Sequence, residues 1–146
     1  MVCLRKSTAQ DQRPIRELIW RVGINPLGLD WRRFIVAVDE QDRLLGCGQI
    51  KPHGDGSREL ASRAVRPERQ REGIGSQISQ RLLAENPLPL YLTCRASMEP
   101  YYQKFGFEAV GWGEMPPYLR RILRLFQFLR RFSPALEELR VMVKIT

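Results

Sequence analysis

Residues 64–78 read AVRPERQREGIGSQI and place a basic turn with two glycines between a strand pattern and a helix pattern. The apolar residues that follow the turn recur at helical spacing, so the turn opens a helix. Gly73 and Gly75 would let backbone N–H groups from Arg71 to Ser76 converge on an anion, and the helix dipole adds about half a positive charge there. The simplest interpretation is a turn and a helix start. The more specific interpretation is a phosphate-binding site formed by these N–H groups, which we call the phosphate cradle.

Two glycine turns that bind phosphate do not fit this stretch. The Walker loop requires a Gly-Lys-Ser/Thr ending, and the dinucleotide fingerprint requires a third glycine with an acidic residue about 20 positions later. The sequence offers only Gly73-Ile74-Gly75. What remains is a sterically open helix N-terminus, where Arg69 and Arg71 would raise the positive potential.

The patterns outside this turn predict the order β-α-β-β-β-α-β-α-β, then an extra basic helix and a last strand. A first helix over about 9–22 starts with Thr8 and Asp11 in a capping-box arrangement. Three strand candidates then follow as an antiparallel meander, RRFIVAV, LLGCGQIKPH and RELASRAV. The order predicts an α/β (α+β) fold, a mixed central sheet of about six or seven strands flanked by helices. We expect a single domain over residues 1–146.

Composition excludes some classes of protein and leaves others open. No run of about 18 apolar residues exists, so a spanning helix is not expected. Cys3, Cys47 and Cys94 show no metal or disulfide spacing and, with no signal peptide at the start, favour a cytoplasmic protein without a metal site. The net charge of +8 favours a polyanionic partner, but the charge is dispersed along the chain and by itself identifies none. Nucleic acid is disfavoured because the sequence lacks the interleaved aromatic and basic residues expected of a single-strand binder.

The stretch 64–78 resembles the acyl-coenzyme-A-binding signature of the GNAT superfamily of N-acetyltransferases. The signature is Gln/Arg-x-x-Gly-x-Gly/Ala, matched by Gln70, Gly73 and Gly75. It follows a strand that ends in Val-x-Pro, here residues 65–67.

A second block supports the same resemblance. The segment YYQKFGFEAVG, residues 101–111, is similar to the family's Phe-Tyr-x-Lys-x-Gly-Phe segment between a helix and a strand. Tyr102, Lys104, Gly106 and Phe107 match, and Tyr101 takes the Phe position. The two blocks occur in the expected order and on the expected elements.

The resemblance implies an acyl-CoA N-acyltransferase fold with a centrally splayed sheet. It implies direct transfer of an acetyl group from acetyl-coenzyme A (acetyl-CoA) to an amine of a small molecule or a protein, in a ternary complex. The pyrophosphate would lie on residues 70–76 and the pantetheine arm along residues 65–67. The residues implied for the cofactor are Val65, Arg66, Pro67, Gln70, Arg71, Glu72, Gly73, Ile74, Gly75 and Ser76.

The resemblance also implies catalytic roles. Tyr102 would protonate the departing thiolate, whereas the alternative is a tyrosine that only packs on the sheet. Glu59 would act as the base, directly or through water, although a strand carboxylate can also be an edge charge paired to Arg58 or Lys51. A backbone N–H at or near Val65 would hold the thioester oxygen.

Three further positions are ambiguous. His53 would lie close to Glu59 if the GDGS segment forms a hairpin; it is then a substrate contact, or otherwise a solvated turn residue. Arg95 and Met98 stand where the family often has Asn and Ala. Arg95 puts a cofactor contact in doubt, and Met98 could narrow the splay.

The segment 118–132 predicts an amphipathic helix with Arg120, Arg124, Gln127 and Arg131 on one face. We expect it to pack on the core with a solvated basic face. A homodimer interface, a membrane-surface helix and a wall of the acceptor pocket stay open, and the membrane surface is not favoured. For the whole chain, the alternatives to an enzyme are a CoA-binding module with little catalysis and a basic protein that binds nucleic acid or membranes.

Overall fold

The computed structural model describes residues 1–146 and contains the strands and helices in the predicted order. The strands are β1 (Cys3–Lys6), β2 (Phe34–Val38), β3 (Leu44–Pro52), β4 (Arg58–Val65), β5 (Leu90–Arg95), β6 (Glu108–Ala109) and β7 (Leu139–Lys144). The α-helices are α1 (Gln12–Val22), α2 (Ile74–Glu85), α3 (Glu99–Gln103) and α4 (Pro117–Arg130). The chain divides into two compact units, the first comprising Met1–Lys51 and Leu60–Pro87, the second Pro52–Glu59 and Leu88–Thr146. A single domain over residues 1–146 stays a prediction.

The strands form one sheet of seven strands in the order β1-β2-β3-β4-β5-β7-β6. The pairs β1–β2, β2–β3, β5–β7 and β6–β7 are antiparallel. Strands β4 and β5 are parallel, and their register pairs Glu59 with Tyr91 and no other residues. The mixed sheet flanked by helices is confirmed, and the single β4–β5 pair agrees with the predicted splay.

In the first unit, α1 places three buried residues, Ile15, Leu18 and Ile19, in a core with the apolar residues of β2 and β3. Their spacing is that of one helix face. The predicted capping arrangement is confirmed, since the Thr8 N–H donates to the Asp11 carboxylate at 2.8 Å. The first turn, Ala9–Asp11, is a 3₁₀ helix that leads into α1.

In the second unit, α4 packs on β7. Leu119 is fully buried and forms a cluster with Met115 and Val141. The predicted helix over 118–132 is therefore confirmed, with its N-terminal half against the core. No helix combines the length and the apolar character needed to cross a bilayer.

Two elements are shorter than their patterns indicate. The strand expected from FEAVG is reduced to Glu108–Ala109. The helix expected from SMEPYYQKF is α-helical only over Glu99–Gln103, after a 3₁₀ turn at Ala96–Met98. Pro100 lies in the first turn of α3, where its missing N–H has no helical acceptor to lose.

Candidate active site

The predicted phosphate cradle is the N-terminus of α2, in the first unit. Gly73 is the N-cap residue and has φ of +81°, a conformation that a β-carbon disfavours. The first hydrogen bond of α2 runs from the Gln77 N–H to the Gly73 carbonyl at 3.0 Å. The amides of Ile74 and Gly75 precede this bond, so they lie at the positive end of the helix dipole.

The sequence suggests that Gly75 leaves room for an anion, but in the structure the nearest group is the guanidinium of Arg63. Gly75 is buried, and a β-carbon at this position would overlap with the guanidinium of Arg63 on β4. The missing side chain of Gly75 therefore gives room to Arg63, whose positive charge lies against the first turn of α2. Arg63 is a basic residue of this end of α2 that the motif alone does not reveal.

The charges of the loop before α2 are partly paired. Arg69 contacts Glu72 at 2.9 Å, and Arg21 contacts Glu68 at 2.7 Å. The sequence led us to expect that Arg69 raises the local potential, but its charge is offset by Glu72. Arg71 is exposed and has φ of +72°, an uncommon conformation for a residue other than glycine.

The end of β4 brings the Val-x-Pro segment next to the same loop. The Arg66 N–H donates to the Leu45 carbonyl of β3 at 2.8 Å. Because successive N–H groups of a strand point in opposite directions, the Val65 N–H points away from β3. The side-chain amide of Gln70 donates to the Val65 carbonyl at 3.2 Å, and Pro67 begins the 3₁₀ turn Pro67–Arg69.

One residue of β4 before this segment has an unusual backbone conformation that the sequence does not predict. Ser62 has φ of +56° within the strand, which is costly for a residue with a β-carbon. Its hydroxyl accepts a hydrogen bond at 2.8 Å from Gln49, a fully buried residue of β3. Gln49 also donates to the Gly28 carbonyl at 3.2 Å and accepts from Arg33 at 3.0 Å. This network holds Ser62 in its conformation.

In the second unit, the turn between β3 and β4 brings His53 to Glu59. The Nε2 atom of His53 lies 2.8 Å from Oε1 of Glu59, and their side chains are only 5% and 12% exposed. Oε2 of Glu59 lies 3.5 Å from the Thr93 hydroxyl. The predicted proximity of His53 and Glu59 is confirmed. The interpretation of His53 as a solvated turn residue is wrong, and Glu59 lies on an interior strand rather than at an edge.

Helix α4 covers this pair. The ring of Tyr118 stacks on the ring of His53, with a centroid distance of 3.6 Å. Burial and the negative charge of Glu59 both raise the pKa of Tyr118. The Tyr118 N–H donates to Asp55 at 2.9 Å. The Ser57 hydroxyl, the Tyr118 N–H and the Ser57 N–H lower the pKa of Asp55 to about 2. No motif in the sequence links Asp55 to a helix about 60 positions later.

Tyr102 lies on α3 in the same unit and is half-buried. Its ring meets Tyr101 edge to face at 5.0 Å and Phe107 at 6.2 Å between centroids. Tyr101 is also half-buried and contacts Phe105. The structure therefore places Tyr102 among aromatic rings, and its catalytic role stays a prediction.

The family comparison decides which fold family these residues belong to. The sequence matches the family described as Acetyltransferase (GNAT) domain over residues 30–109, more than half of the chain. The chain belongs to the GNAT family of acetyltransferases. The matched part contains the α2 turn and most of the second motif block. A search of curated proteins finds no match.

Solved structures share the GNAT fold of this chain. N-acetylglutamate synthase from Neisseria gonorrhoeae, in complex with coenzyme A and N-acetyl-glutamate, is 17% identical with a TM-score of 0.74. That match covers 99% of this chain and 35% of the synthase, so the chain spans about a third of the synthase's length. Rv2747 from Mycobacterium tuberculosis, solved with coenzyme A, is 19% identical with a TM-score of 0.73, and 99% of each chain is covered. The ribosomal-protein-S18-alanine N-acetyltransferase from Escherichia coli is 17% identical with a TM-score of 0.70, covering 99% and 94%.

These likenesses confirm the acyl-CoA N-acyltransferase fold that the motifs predict. Acetyl-CoA is the acetyl donor of GNAT enzymes. The chain has no group of three or more His, Cys, Asp or Glu residues that could hold a metal ion.

Two positions depart from the GNAT pattern. Arg95, where the family often has Asn, is exposed, and its guanidinium lies 3.9 Å from the carboxylate of Glu137. Met98, where the family often has Ala, is half-buried at the end of a 3₁₀ turn. Arg95 is therefore turned toward an acidic neighbour.

Proposed function

We propose that this GNAT chain is an N-acetyltransferase that moves an acetyl group from acetyl-CoA to a primary amine of a small molecule or a protein. Transfer is direct, in a ternary complex. The observation that carries the proposal is the hydrogen bond between His53 and Glu59, because a module that only binds coenzyme A has no need for a carboxylate held in a mostly buried site.

The first unit supplies groups that fit the cofactor. Residues 70–76 hold the pyrophosphate through the amides at the N-terminus of α2. The Gly73 position is open, since a β-carbon added there would meet no atom within 4 Å. Residues 65–67 hold the pantetheine arm. When bound, acetyl-CoA supplies the acyl group as a thioester. The Val65 N–H, directed away from β3, donates to the acyl oxygen.

Glu59 removes a proton from the attacking amine. Free amines have pKa values of about 8 to 10.4, so most are protonated at neutral pH and a base is needed. Oε1 of Glu59 is 2.8 Å from His53 Nε2, whereas Oε2 lies at the longer distance of 3.5 Å from the Thr93 hydroxyl. Oε2 therefore accepts the proton, directly or through water, while His53 keeps the carboxylate in place. Tyr102 donates its phenolic proton to the departing sulfur.

A second candidate is a CoA-binding module with little catalysis. The observation that favours it is Arg95, which stands at a cofactor-contacting position of the family and instead faces Glu137. Both candidates predict binding of coenzyme A, and only the first predicts turnover that depends on Glu59.

The test is steady-state turnover of acetyl-CoA over a panel of amines, together with calorimetric binding of coenzyme A. For Glu59→Gln we expect kcat to fall by about 10²- to 10³-fold with coenzyme A affinity unchanged. Glu108→Gln, at an exposed site of the same unit, is the matched control. Binding of coenzyme A without turnover on any amine favours the CoA-binding module, whereas turnover that is unchanged in Glu59→Gln excludes Glu59 as the base.

A further inference from the structure

Helix α4 and the turn that follows it have a second apolar face that the core does not cover. Leu125, Phe128, Leu129 and Phe132 are 56%, 53%, 45% and 74% exposed. Their spacing of i, i+3, i+4 and i+7 places them in one stripe. We call this set the outer stripe. The rings of Phe128 and Phe132 meet edge to face at 5.3 Å. The C-terminal half of the helix therefore exposes apolar residues in addition to the solvated basic face that the sequence predicts.

The outer stripe lies among positive charges. Residues 117–132 contain five arginines and no acidic residue. Arg121 precedes Leu125 by four positions, Arg124 precedes Phe128 by four, and Arg131 follows Phe128 by three. These are the spacings of neighbours on a helix surface. Exposed Phe and Leu side chains are stabilised when they enter an apolar layer. The flanking arginines are stabilised when the boundary of that layer carries negative charge.

We propose that the outer stripe docks on an anionic lipid surface, with α4 lying in the plane of the interface. Such helices have Phe and Leu on one side, basic residues on the other and a low mean hydropathy. Arginine stems can extend along the apolar boundary while the guanidinium groups reach lipid phosphates. Each arginine near an anionic leaflet strengthens partitioning by about fivefold.

Charge argues against a second copy of the chain as the occupant. A symmetric contact through the outer stripe would bring the five arginines of residues 117–132 in one copy close to the same five in the other. The helix offers no acidic partner, and the whole chain carries a net charge of +8. An anionic membrane turns the same charges into attraction.

The entry to α4 adds an aromatic group. Trp112 is 42% exposed, and the guanidinium groups of Arg120 and Arg124 lie 5.7 and 4.8 Å from its ring centre. Tryptophan is enriched where membranes meet water. This placement is independent of acetyl transfer, so the two proposals can fail separately.

The experiment is flotation of the 146-residue chain with vesicles in a density gradient. The probes are vesicles of phosphatidylcholine alone and with about 30% phosphatidylserine, at about 50 mM and 500 mM NaCl. We expect flotation only with phosphatidylserine and release at the higher salt. Phe128→Ser with Phe132→Ser should lower partitioning by about tenfold or more. The control is Leu27→Ser, at an apolar residue that is 72% exposed in the other unit.

A charge-reversal pair tests the same surface without altering the stripe. Arg121→Glu with Arg131→Glu should lower partitioning by more than about 25-fold, whereas Arg13→Glu with Arg16→Glu on α1 should have a much smaller effect. The proposal is overturned if the protein does not float with phosphatidylserine vesicles or floats equally with phosphatidylcholine vesicles. It is overturned as well if the serine double variant and the glutamate double variant of residues 121–132 both float like wild type. It is also overturned if light scattering shows a dimer that the serine pair converts to monomer, because the stripe then contacts a second copy.

Discussion

The imidazole ring of His53 lies almost parallel to the phenol ring of Tyr118, with centroids 3.6 Å apart and planes inclined by 16°. His53 also makes the 2.8 Å contact with Glu59 through its Nε2 atom. Tyr118 therefore fixes the ring that in turn positions the proposed base. A residue at the start of α4 thus contacts the partner of the proposed base, although it lies outside both family motifs.

Tyr118→Leu should lower kcat by about tenfold, because the ring that orients His53 is lost and the Glu59 carboxylate is less well positioned. Tyr118→Phe keeps a ring for stacking and should retain most of the activity. The measurement is kcat for the best amine of the panel. Equal rates for the two variants would show that stacking does not orient His53.

Tyr102→Phe should lower kcat by about 10²-fold and leave the KM for acetyl-CoA within about twofold, because only the proton for the departing sulfur is removed. Tyr101→Phe is the matched control on the same helix and should be close to wild type. If both variants lose activity equally, Tyr102 acts through aromatic packing and is not the acid.

Gly73→Asn and Gly75→Val should each weaken coenzyme A binding by about tenfold or more, through loss of an amide-to-phosphate hydrogen bond. Asparagine tolerates the positive φ of Gly73, so this variant tests added bulk with little strain. Valine at Gly75 would displace the Arg63 guanidinium. The measurement is calorimetry with coenzyme A.

Gly113→Val is the control for the glycine variants, because a β-carbon added at Gly113 would meet no atom within 4 Å and the φ of this residue is not in the left-handed region. It should bind coenzyme A like wild type. Unchanged affinity in both Gly73→Asn and Gly75→Val would exclude the N-terminus of α2 as the phosphate site.

The sequence predicts the parts of the site that depend on local patterns. The helix start at Gly73 and the end of β4 at Val65 follow from short-range spacing, and the contact of His53 with Glu59 follows from the turn between two strands. Contacts between distant segments carry no such signal. The backbone conformation of Ser62 is supported by Gln49, 13 positions away. The stacking of Tyr118 on His53 depends on how α4 packs.

Gln49→Met tests the buried network. The variant keeps the volume of the side chain and removes its hydrogen bonds to Ser62, Gly28 and Arg33. We expect the free energy of unfolding to fall by about 2 kcal/mol, since buried polar groups lose their partners. Urea denaturation measures this change, with Gln80→Met on the exposed side of α2 as control. A change below about 0.5 kcal/mol would show that water replaces the side chain.

Asp55 caps α4 from the turn between β3 and β4, through the Tyr118 N–H. Asp55→Ala should lower the free energy of unfolding at pH 7 by about 1 kcal/mol, whereas Asp55→Asn keeps a capping oxygen and should lose less.

The pKa of Asp55 is about 2 in the folded protein, below its ordinary value of 3.8. The charge-dependent stabilisation is therefore fully present above about pH 4 and is lost as the pH falls toward 2. Because the carboxylate is exposed and screened, the charge contributes only part of the effect. Urea denaturation of wild type and both variants at about pH 7, 4 and 2.5 measures it. A difference between wild type and Asp55→Ala that stays constant down to about pH 2.5 would show that the Asp55 charge does not stabilise α4.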